Sequence, residues 1–344
     1  MANIGLVADY SAQLRSYFDK TLLATAKDNL QLAKLAVRKP LPKGQGSNST
    51  VTFHRRKATT LSTAGVVNDS TTGNAVVSTL TDGTPITARR DMADYETVSA
   101  TLVQIGSVGR MSDQTGWQHL FNLLKDTITL FGEEAALYQD RLLAEALVDG
   151  ALAGNKVYAG GATSSATLDA LSQSAGKLTM DEVLKGATNV KVLRGKAYRD
   201  NCFYLVHGCQ VGMDIQKDAD WIDANNYASP ENRIKGETGK YGSVKFIETN
   251  NPYKEDLADA AEGTYDGSDT NANTGYVSLL LGADAFGTVE LSGESLYSPR
   301  ITVLNQADKS DPLNQTTLVG WKAFTVAKVL NSNWYSVIRS KSTF

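Results

Sequence analysis

Three histidines and two cysteines are the side chains of this sequence best suited to metal binding or nucleophilic chemistry. His54, His119 and His207 are far apart, and only His207 lies near the cysteines, Cys202 and Cys209. Two cysteines and one histidine within eight residues do not match a zinc-ligand spacing, and the cysteines do not form a CxxC motif. We therefore interpret this stretch as a buried strand followed by a helix with two reduced thiols, rather than as a thiol or metal site.

Two other segments resemble binding loops but lack the residues that would complete them. Residues 236–240 contain a glycine–lysine pair without the glycine spacing, or the Ser/Thr after Lys240, of a phosphate-binding loop. We interpret them as a turn between a helix and a strand. Residues 269–275 alternate oxygen-bearing side chains as calcium loops do, but the bidentate acid position holds Leu280. Since HExxH, GxSxG and GxGxxG motifs are also missing, the sequence predicts no catalytic residue, metal site or cofactor.

Charge and hydropathy exclude several classes of protein. The 344 residues carry 34 Lys and Arg against 37 Asp and Glu, which gives a net charge of -3. A histone-like nucleic-acid binder would need a large basic excess for its phosphate contacts. No apolar run approaches the roughly 18 residues of a membrane span, and the N-terminus does not resemble a secretory signal. We therefore expect a folded protein that has no membrane partner and is made in a cytoplasm.

Basic residues cluster at two places in a polar part of the chain, namely Arg55, Arg56, Lys57, Arg89 and Arg90. A single-stranded nucleic-acid groove would need aromatic residues between them for base stacking, and only Phe53 is close. Salt bridges to an acidic surface of another subunit are the favoured interpretation, and a plain solvated face is the alternative. Arg55, Arg56, Arg89 and Arg90 are therefore candidate interface residues.

The first forty residues predict an amphipathic arm helix. Its apolar positions recur every three or four residues, at Leu14, Phe18, Leu22, Ala26, Leu30, Ala33 and Val37. Pro40 and Pro42 end this pattern, because proline lacks a backbone donor and disfavours helix in the preceding residue. One helix cannot bury its own stripe, so we expect Leu14, Phe18 and Leu22 to contact the body of the protein or a neighbouring subunit.

A long hairpin and a long helix follow the arm. Residues 51–57 and 95–105 alternate as strands around a polar excursion of about 35 residues, which predicts an extended β-hairpin. A helix is then predicted from Thr115 to Asp149, with a stripe at Trp117, Phe121, Leu124, Ile128, Phe131, Ala135, Tyr138 and Leu142. We expect its first half to pack on C-terminal strands near Trp321 and Phe324.

The remaining chain mixes helices and strands, which indicates an α+β or α/β domain. We predict a connecting loop over residues 150–178, and a helix that begins at the capping box Thr179–Glu182. Strands are predicted at residues 202–207, 243–249, 276–281, 300–304, 317–330 and 334–339, with a surface insertion near 255–275.

This order of elements resembles the major capsid protein of tailed bacteriophages, the Johnson fold of the Hong Kong 97 type. The similarity covers roughly residues 45 to 340, and individual segments are similar to the N4-like phage capsid family. These segments are residues 105–113, Gly132-Glu133-Glu134 with Asp140, 233–249, 311–315, 319–322 and 329–331.

The resemblance implies an α+β fold of five regions. They are an N-terminal arm (1–45), an extended β-hairpin or E-loop (46–112), the spine helix with the peripheral-domain sheet (113–178), an axial domain with the insertion (179–297), and return strands of the peripheral domain (298–344). It also implies hexamers and pentamers of many identical copies, in a virion shell that assembles in a bacterial cytoplasm and contacts packaged double-stranded DNA non-specifically. A separate scaffolding protein, a portal and a decoration protein are the further partners implied. A soluble α/β enzyme, or another self-assembling phage protein, is the alternative.

Overall fold

The computed structural model describes residues 30–39, 50–56, 60–61, 67–68, 82–83, 95–112, 123–226, 237–258, 265, 273–289, 300–304, 313 and 315–344. These residues belong to two compact units. One unit is Ser47–Thr101, and the other combines Met1–Gly46 with Leu102–Phe344. The helices and strands named below are those of the described residues.

The α-helices of the larger unit are α1 (Leu32–Leu35), α2 (Leu123–Asp149), α3 (Ser165–Asp169), α4 (Met180–Val192), α5 (Cys209–Gln216) and α6 (Ala219–Asn226). Its strands are β1 (Val37–Lys39), β6 (Val103–Ser112), β7 (Lys156–Tyr158), β8 (Phe203–Gly208), β9 (Glu237–Tyr241), β10 (Val244–Thr249), β11 (Tyr253–Asp256), β12 (Thr274–Leu281), β13 (Phe286–Val289), β14 (Arg300–Leu304), β15 (Thr316–Thr325), β16 (Ala327–Val329) and β17 (Tyr335–Ser340). We call α2 the spine helix.

A mixed sheet forms the centre of the larger unit. Its strands run in the order β7-β17-β12-β8-β10-β9, and β11 pairs with β12 beside β8. Side chains of β8 alternate between the two faces: Tyr204 and Val206 belong to one buried cluster, and Phe203 and Leu205 to the other. The second half of the spine helix covers the first face, and α4 and α5 cover the second. The result is three layers, helix on sheet on helix, which is why β8 and β12 are buried along their whole length.

A smaller antiparallel sheet, β14-β15-β6, lies against the first half of the spine helix. Ile128 and Phe131 of the helix pack on Trp321 of β15, as the sequence predicted. Phe324 lies in the same strand, but it has the opposite parity to Trp321, so its side chain lies on the other face of the sheet. Trp117 and Phe121 lie outside the described residues.

Replacing Phe131 with alanine should lower the free energy of unfolding by about 3 kcal/mol, through lost transfer energy and a cavity. The ring also lies close to the sheet backbone, since a Cβ at Gly109 would lie 3.2 Å from its Cζ. Leu130→Ala is the matched control, because that neighbour is exposed and should change stability by no more than about 0.5 kcal/mol. Urea unfolding of both variants tests this packing, and equal effects would contradict it.

The buried face of the spine helix departs from the predicted stripe after Ala135. Tyr138 is exposed and Leu142 is only half-buried, whereas Gln139 and Asp140 are buried. These polar residues have partners: the Gln139 amide donates to Thr288 Oγ1 at 3.3 Å, and Asp140 accepts backbone hydrogen bonds. An apolar pattern could not locate this part of the face, because polar side chains occupy it.

Three further expectations differ from the structure. Residues 150–178 are more than a connecting loop, because β7 pairs in parallel with β17. The segment interpreted as a turn is strand β9, which pairs with β10, and the turn lies at Gly242 with a φ of 57°. Strand β17, predicted among the return strands of the peripheral domain, pairs with β12 in the central sheet. The five-region division itself stays a prediction.

The smaller unit contains the predicted hairpin. Strands β2 (Thr50–Arg56) and β5 (Tyr95–Thr101) pair antiparallel over their full length, and β3 (Thr60–Leu61) pairs with β4 (Val67–Asn68). Valine, threonine and phenylalanine favour this pleated arrangement, which agrees with the alternation in the sequence.

Candidate assembly surface

The structure places only some of the predicted interface residues. Arg55 forms an ion pair within its own hairpin: its Nε and Nη2 donate to Glu96 Oε2 at 3.0 and 2.7 Å. The backbone of Arg56 ends β2 opposite Tyr95. Leu14, Phe18, Leu22, Arg89 and Arg90 lie outside the described residues, so their interface role stays a prediction.

The C-terminal part of the predicted arm is attached to its own chain. Leu30, Leu32 and Ala33 are buried in the cluster that includes Leu143 and Leu147 of the spine helix. Within the described residues, helix α1 ends at Leu35, before the predicted end near Pro40, because Ala36 is extended with a ψ of 153°. From Val37 the chain forms β1, which pairs in parallel with β13, instead of continuing as a helix toward Pro40.

A buried aspartate holds the start of this segment. The backbone N–H groups of Gln31 and Leu32 donate to Asp140 Oδ2 at 2.7 and 3.3 Å, and that of Ala33 donates to Oδ1 at 3.2 Å. Tyr198 adds a second anchor, since its hydroxyl donates to the Leu35 carbonyl at 3.1 Å. Residues 30–35 are therefore fixed to the body, and a free arm can begin only before Leu30.

Burial raises the pKa of Asp140 to about 6 from an ordinary 3.8, although the three backbone donors and nearby Lys34 oppose the rise. Between these two values the folded chain binds a proton that the unfolded chain releases. The contribution of Asp140 to stability is therefore greatest below pH 3.8, and it is lost as the pH rises through about 6.

We accordingly expect Asp140→Asn to remove part of the pH dependence of stability. The free energy difference between wild type and variant should shift by up to about 3 kcal/mol between pH 4 and pH 7, in the direction that makes the wild type relatively less stable at pH 7. Urea unfolding of both proteins across this range measures the shift. An unchanged difference would contradict the buried carboxyl, and Asp126→Asn, at an exposed site, serves as control.

A cavity of about 370 Å³ lies where the spine helix passes strand β6. It is lined by Val103, Gln104, Ile105, Gly106, Ser107, Glu134, Tyr138 and Trp321. The Trp321 indole N–H points toward Glu134 Oε2 at 3.5 Å. Leu130 and Leu137, one heptad apart on the same helix, are also exposed. Sequence analysis missed this surface, because it assigned Tyr138 to the buried stripe.

A buried ion pair fixes the base of the predicted insertion. The guanidinium of Arg339 donates from Nε and Nη2 to the two oxygens of Glu255, at 2.8 and 3.1 Å, and both side chains are at most 2% exposed. Tyr265 packs on Tyr253 with ring centroids 5.4 Å apart, and the Arg141 guanidinium lies 3.7 Å from the Tyr265 ring centre. Tyr265, within the stretch that the sequence predicted as a surface insertion, is thus held against the body.

The cysteine and histidine stretch agrees with its interpretation as a strand and a helix. Cys202 is buried just before β8, Cys209 begins α5 and is exposed, and both are free thiols. Burial lowers the pKa of His207, whose Nδ1 lies 3.0 Å from the Gly208 carbonyl oxygen. The described residues contain no group of three or more potential ligands placed to hold a metal ion. None of the helices described is long and apolar enough to cross a membrane.

No protein-family model and no curated protein matches the chain in sequence. Solved structures do match its fold. The capsid of Ralstonia phage GP4 matches with a TM-score of 0.63 and 12% identity, over 90% of this chain and 88% of that chain. The capsid of cyanophage Pam1 matches with a TM-score of 0.57 and 14% identity, over 93% of each chain. An encapsulin complex from Synechococcus elongatus matches with a TM-score of 0.52 and 11% identity, over 90% of this chain and 87% of that chain.

Identities this low establish the fold alone, so the N4-like resemblance stays a prediction. The matches extend over nearly the whole of each chain. They therefore involve both the helices and the strands of the mixed fold that the sequence predicted. The chain therefore has the capsid fold of tailed bacteriophages, the α+β fold that its sequence predicted.

Proposed function

We propose that this chain is a major capsid protein, which self-assembles into the icosahedral head of a tailed bacteriophage around double-stranded DNA. The observation that carries the proposal is the similarity to phage capsid structures along about nine-tenths of the chain, with TM-scores up to 0.63. Such coverage does not favour a soluble α/β enzyme or a different phage structural protein.

Large apolar side chains exposed on the surface of the chain support an assembled state. The face of β6 and β15 opposite the spine helix exposes Val108 and Leu318, and the spine helix exposes Leu130 and Leu137. Obligate interfaces bury 2,000 Å² or more in total and are more apolar than other protein surfaces. Repeated contacts through these faces would give the hexamers and pentamers of a closed shell.

The remaining partners follow from the same proposal. A scaffolding protein and a portal would be separate chains, and a decoration protein could bind the outer surface. The net charge of -3 is small enough to limit repulsion between many copies and the packaged DNA, which the shell would contact non-specifically. The location would be the virion, after assembly in the host cytoplasm.

Expression of the full chain, alone and with the scaffolding gene of its phage, tests the proposal by electron microscopy. We expect hollow icosahedral or capsomer-sized particles. A discrete monomer or dimer under all conditions would contradict it. The encapsulin match raises a second candidate, an encapsulin-like complex, and nucleic-acid content tests the phage proposal: particles isolated from phage-producing cells should contain double-stranded DNA.

The hairpin provides a further prediction within this proposal. We expect residues 59–94 to lie over an adjacent subunit, because this span has few large apolar residues with which to form a core of its own. A protease should therefore cut this span more slowly in assembled particles than in free subunits, as followed by mass spectrometry. Equal cleavage rates would contradict the prediction, and cleavage within the buried strand β12 provides the reference for global unfolding.

A further inference from the structure

The last turn of helix α4 and the segment that follows it, residues 191–199, form a surface that we call the basic loop. Its nine residues carry four basic side chains and no acidic one, namely Lys191, Arg194, Lys196 and Arg199. No other stretch of nine residues in the sequence has four basic side chains, and all four of these are exposed. Because the whole chain has a net charge of -3, the loop is a local reversal of charge, which is typical of a surface that binds a polyanion.

Hydrogen bonds fix the backbone of the basic loop to the larger unit. At the end of α4 the Arg194 N–H donates to the Lys191 carbonyl at 3.0 Å. The Lys196 carbonyl accepts from the Ala283 N–H at 2.7 Å, and Tyr198 is anchored through its hydroxyl as described above. The basic side chains therefore extend from an ordered backbone, so binding a ligand would order side chains alone and lose little conformational entropy.

The backbone around the basic loop is unusual for its residue types. Three non-glycine residues of the described chain have a left-handed backbone, Arg194, Asn201 and Asp284, and all three lie in or beside this loop. Asparagine and aspartate tolerate that conformation, but arginine does not. Arg194, with a φ of 57°, follows the C-cap Leu193, at the position that glycine usually occupies. A residue that keeps an unfavourable conformation at an exposed site indicates that its side chain has a function.

Two carboxylates lie next to the basic loop, and both are already paired. Asp284 lies 2.5 Å from Lys196 Nζ, and Asp200 forms an ion pair with a lysine of β10 at 2.9 Å. Among the described residues, neither Lys191 nor Arg199 forms an ion pair. The charges at the two ends of the loop can therefore bind an anion from outside the subunit.

We propose that the basic loop binds the phosphate groups of the packaged double-stranded DNA. The proposal rests on the proposed function and names the surface through which the shell contacts its DNA. Lysine and arginine bind phosphate without reading the bases, and a duplex requires no aromatic side chains for base stacking. Duplex DNA carries one negative charge per about 1.7 Å of its axis, so cations spread along a loop each find a phosphate without a fixed register. An acidic polypeptide would need carboxylates at matching positions, which makes DNA the favoured ligand.

Fluorescence anisotropy of a short labelled DNA duplex with full-chain subunits tests the contact. The loop variant combines Lys191→Gln, Arg194→Gln and Arg199→Gln. It should lower the slope of log affinity against log salt by about 2.7, since each phosphate contact contributes about 0.9. The control variant removes three exposed lysines elsewhere on the larger unit and should keep a slope near that of the wild type: Lys217→Gln, Lys240→Gln and Lys328→Gln. Equal slopes for the two variants would overturn the proposal, as would polyglutamate binding in place of the duplex.

Arg194→Gly separates DNA binding from a structural role at the helix end. Glycine suits a φ of 57°, so the melting temperature should not fall, while affinity for the duplex at low salt should fall about tenfold. A lower melting temperature with unchanged affinity would show that the cation only stabilises the end of the helix, and would overturn the proposal.

Electron microscopy scores particle formation separately from DNA binding. Particles from the wild type, together with unchanged duplex binding by the loop variant, would overturn the contact and leave the capsid function standing. If the wild type forms no particles under any condition, the proposed function fails, and the assignment of the basic loop to packaged DNA fails with it.

Discussion

Replacing Arg339 with methionine should lower the free energy of unfolding by about 3–5 kcal/mol, because Glu255 would keep a buried charge without its partner. The two side chains extend from β17 and β11, which flank β12, and they meet in a bidentate pair that is at most 2% exposed. The ring of Tyr158 in β7 lies 5.6 Å from the guanidinium carbon. One ion pair thus links strands from distant parts of the chain at the base of the insertion.

The double variant Arg339→Met with Glu255→Leu separates a buried-charge penalty from a loss of fold. Removing both charges together should restore much of the lost stability, since apolar residues of similar volume can replace a buried pair at little cost. Lys196→Met is the exposed control: its partner Asp284 is also exposed, so the change should cost no more than about 1 kcal/mol. Urea unfolding followed by circular dichroism measures all three. A double variant as unstable as Arg339→Met would contradict the explanation.

The sequence was sufficient for elements whose pattern is local. The apolar runs before Gly208 and Leu281 became β8 and β12, and the capping box at Thr179 begins α4. Short elements that depend on a distant partner were not predictable. Strand β7 has three residues in a stretch rich in glycine and alanine, and it exists because β17 offers an edge. Strand β1 likewise replaces a predicted helix because β13 pairs with it.

Polar residues on buried faces explain the other differences. Aspartate and arginine are residue types normally found on the surface, yet Asp140 and Arg339 are buried. The three backbone donors of residues 31–33 make the burial of Asp140 tolerable, and the carboxylate of Glu255 does so for Arg339. Along the sequence, the nearest donor lies 107 residues from Asp140, and Glu255 lies 84 residues from Arg339. A single sequence carries no signal for such contacts. The same reasoning applies to the cavity, since Glu134 and Trp321 are brought together only by the packing of the helix on the small sheet.

Deleting residues 2–28 should leave a normally folded chain that forms no closed shells, whereas deleting residues 2–40 should destabilise the body itself. The boundary follows from the structure. Leu30, Leu32 and Ala33 are part of the main core, and β1 completes a sheet with β13 and β16. Removing them would also leave the Asp140 carboxylate buried without its three donors. Each fully buried leucine contributes about 1.5–3 kcal/mol, so the longer deletion approaches the whole stability of a typical domain, about 5–15 kcal/mol.

Thermal unfolding and electron microscopy of the two variants distinguish an arm that serves assembly from one that serves folding. The stripe of Leu14, Phe18 and Leu22 lies entirely within the shorter deletion, so its loss should abolish shells while the melting temperature stays close to that of wild-type subunits. Normal shells from this variant would contradict an interface role for the arm. The triple change Leu14→Ser, Phe18→Ser and Leu22→Ser keeps the length of the chain and should reproduce the short deletion. If it assembles normally while the deletion does not, the arm acts through its length or backbone, and its apolar stripe is not what a neighbouring subunit binds.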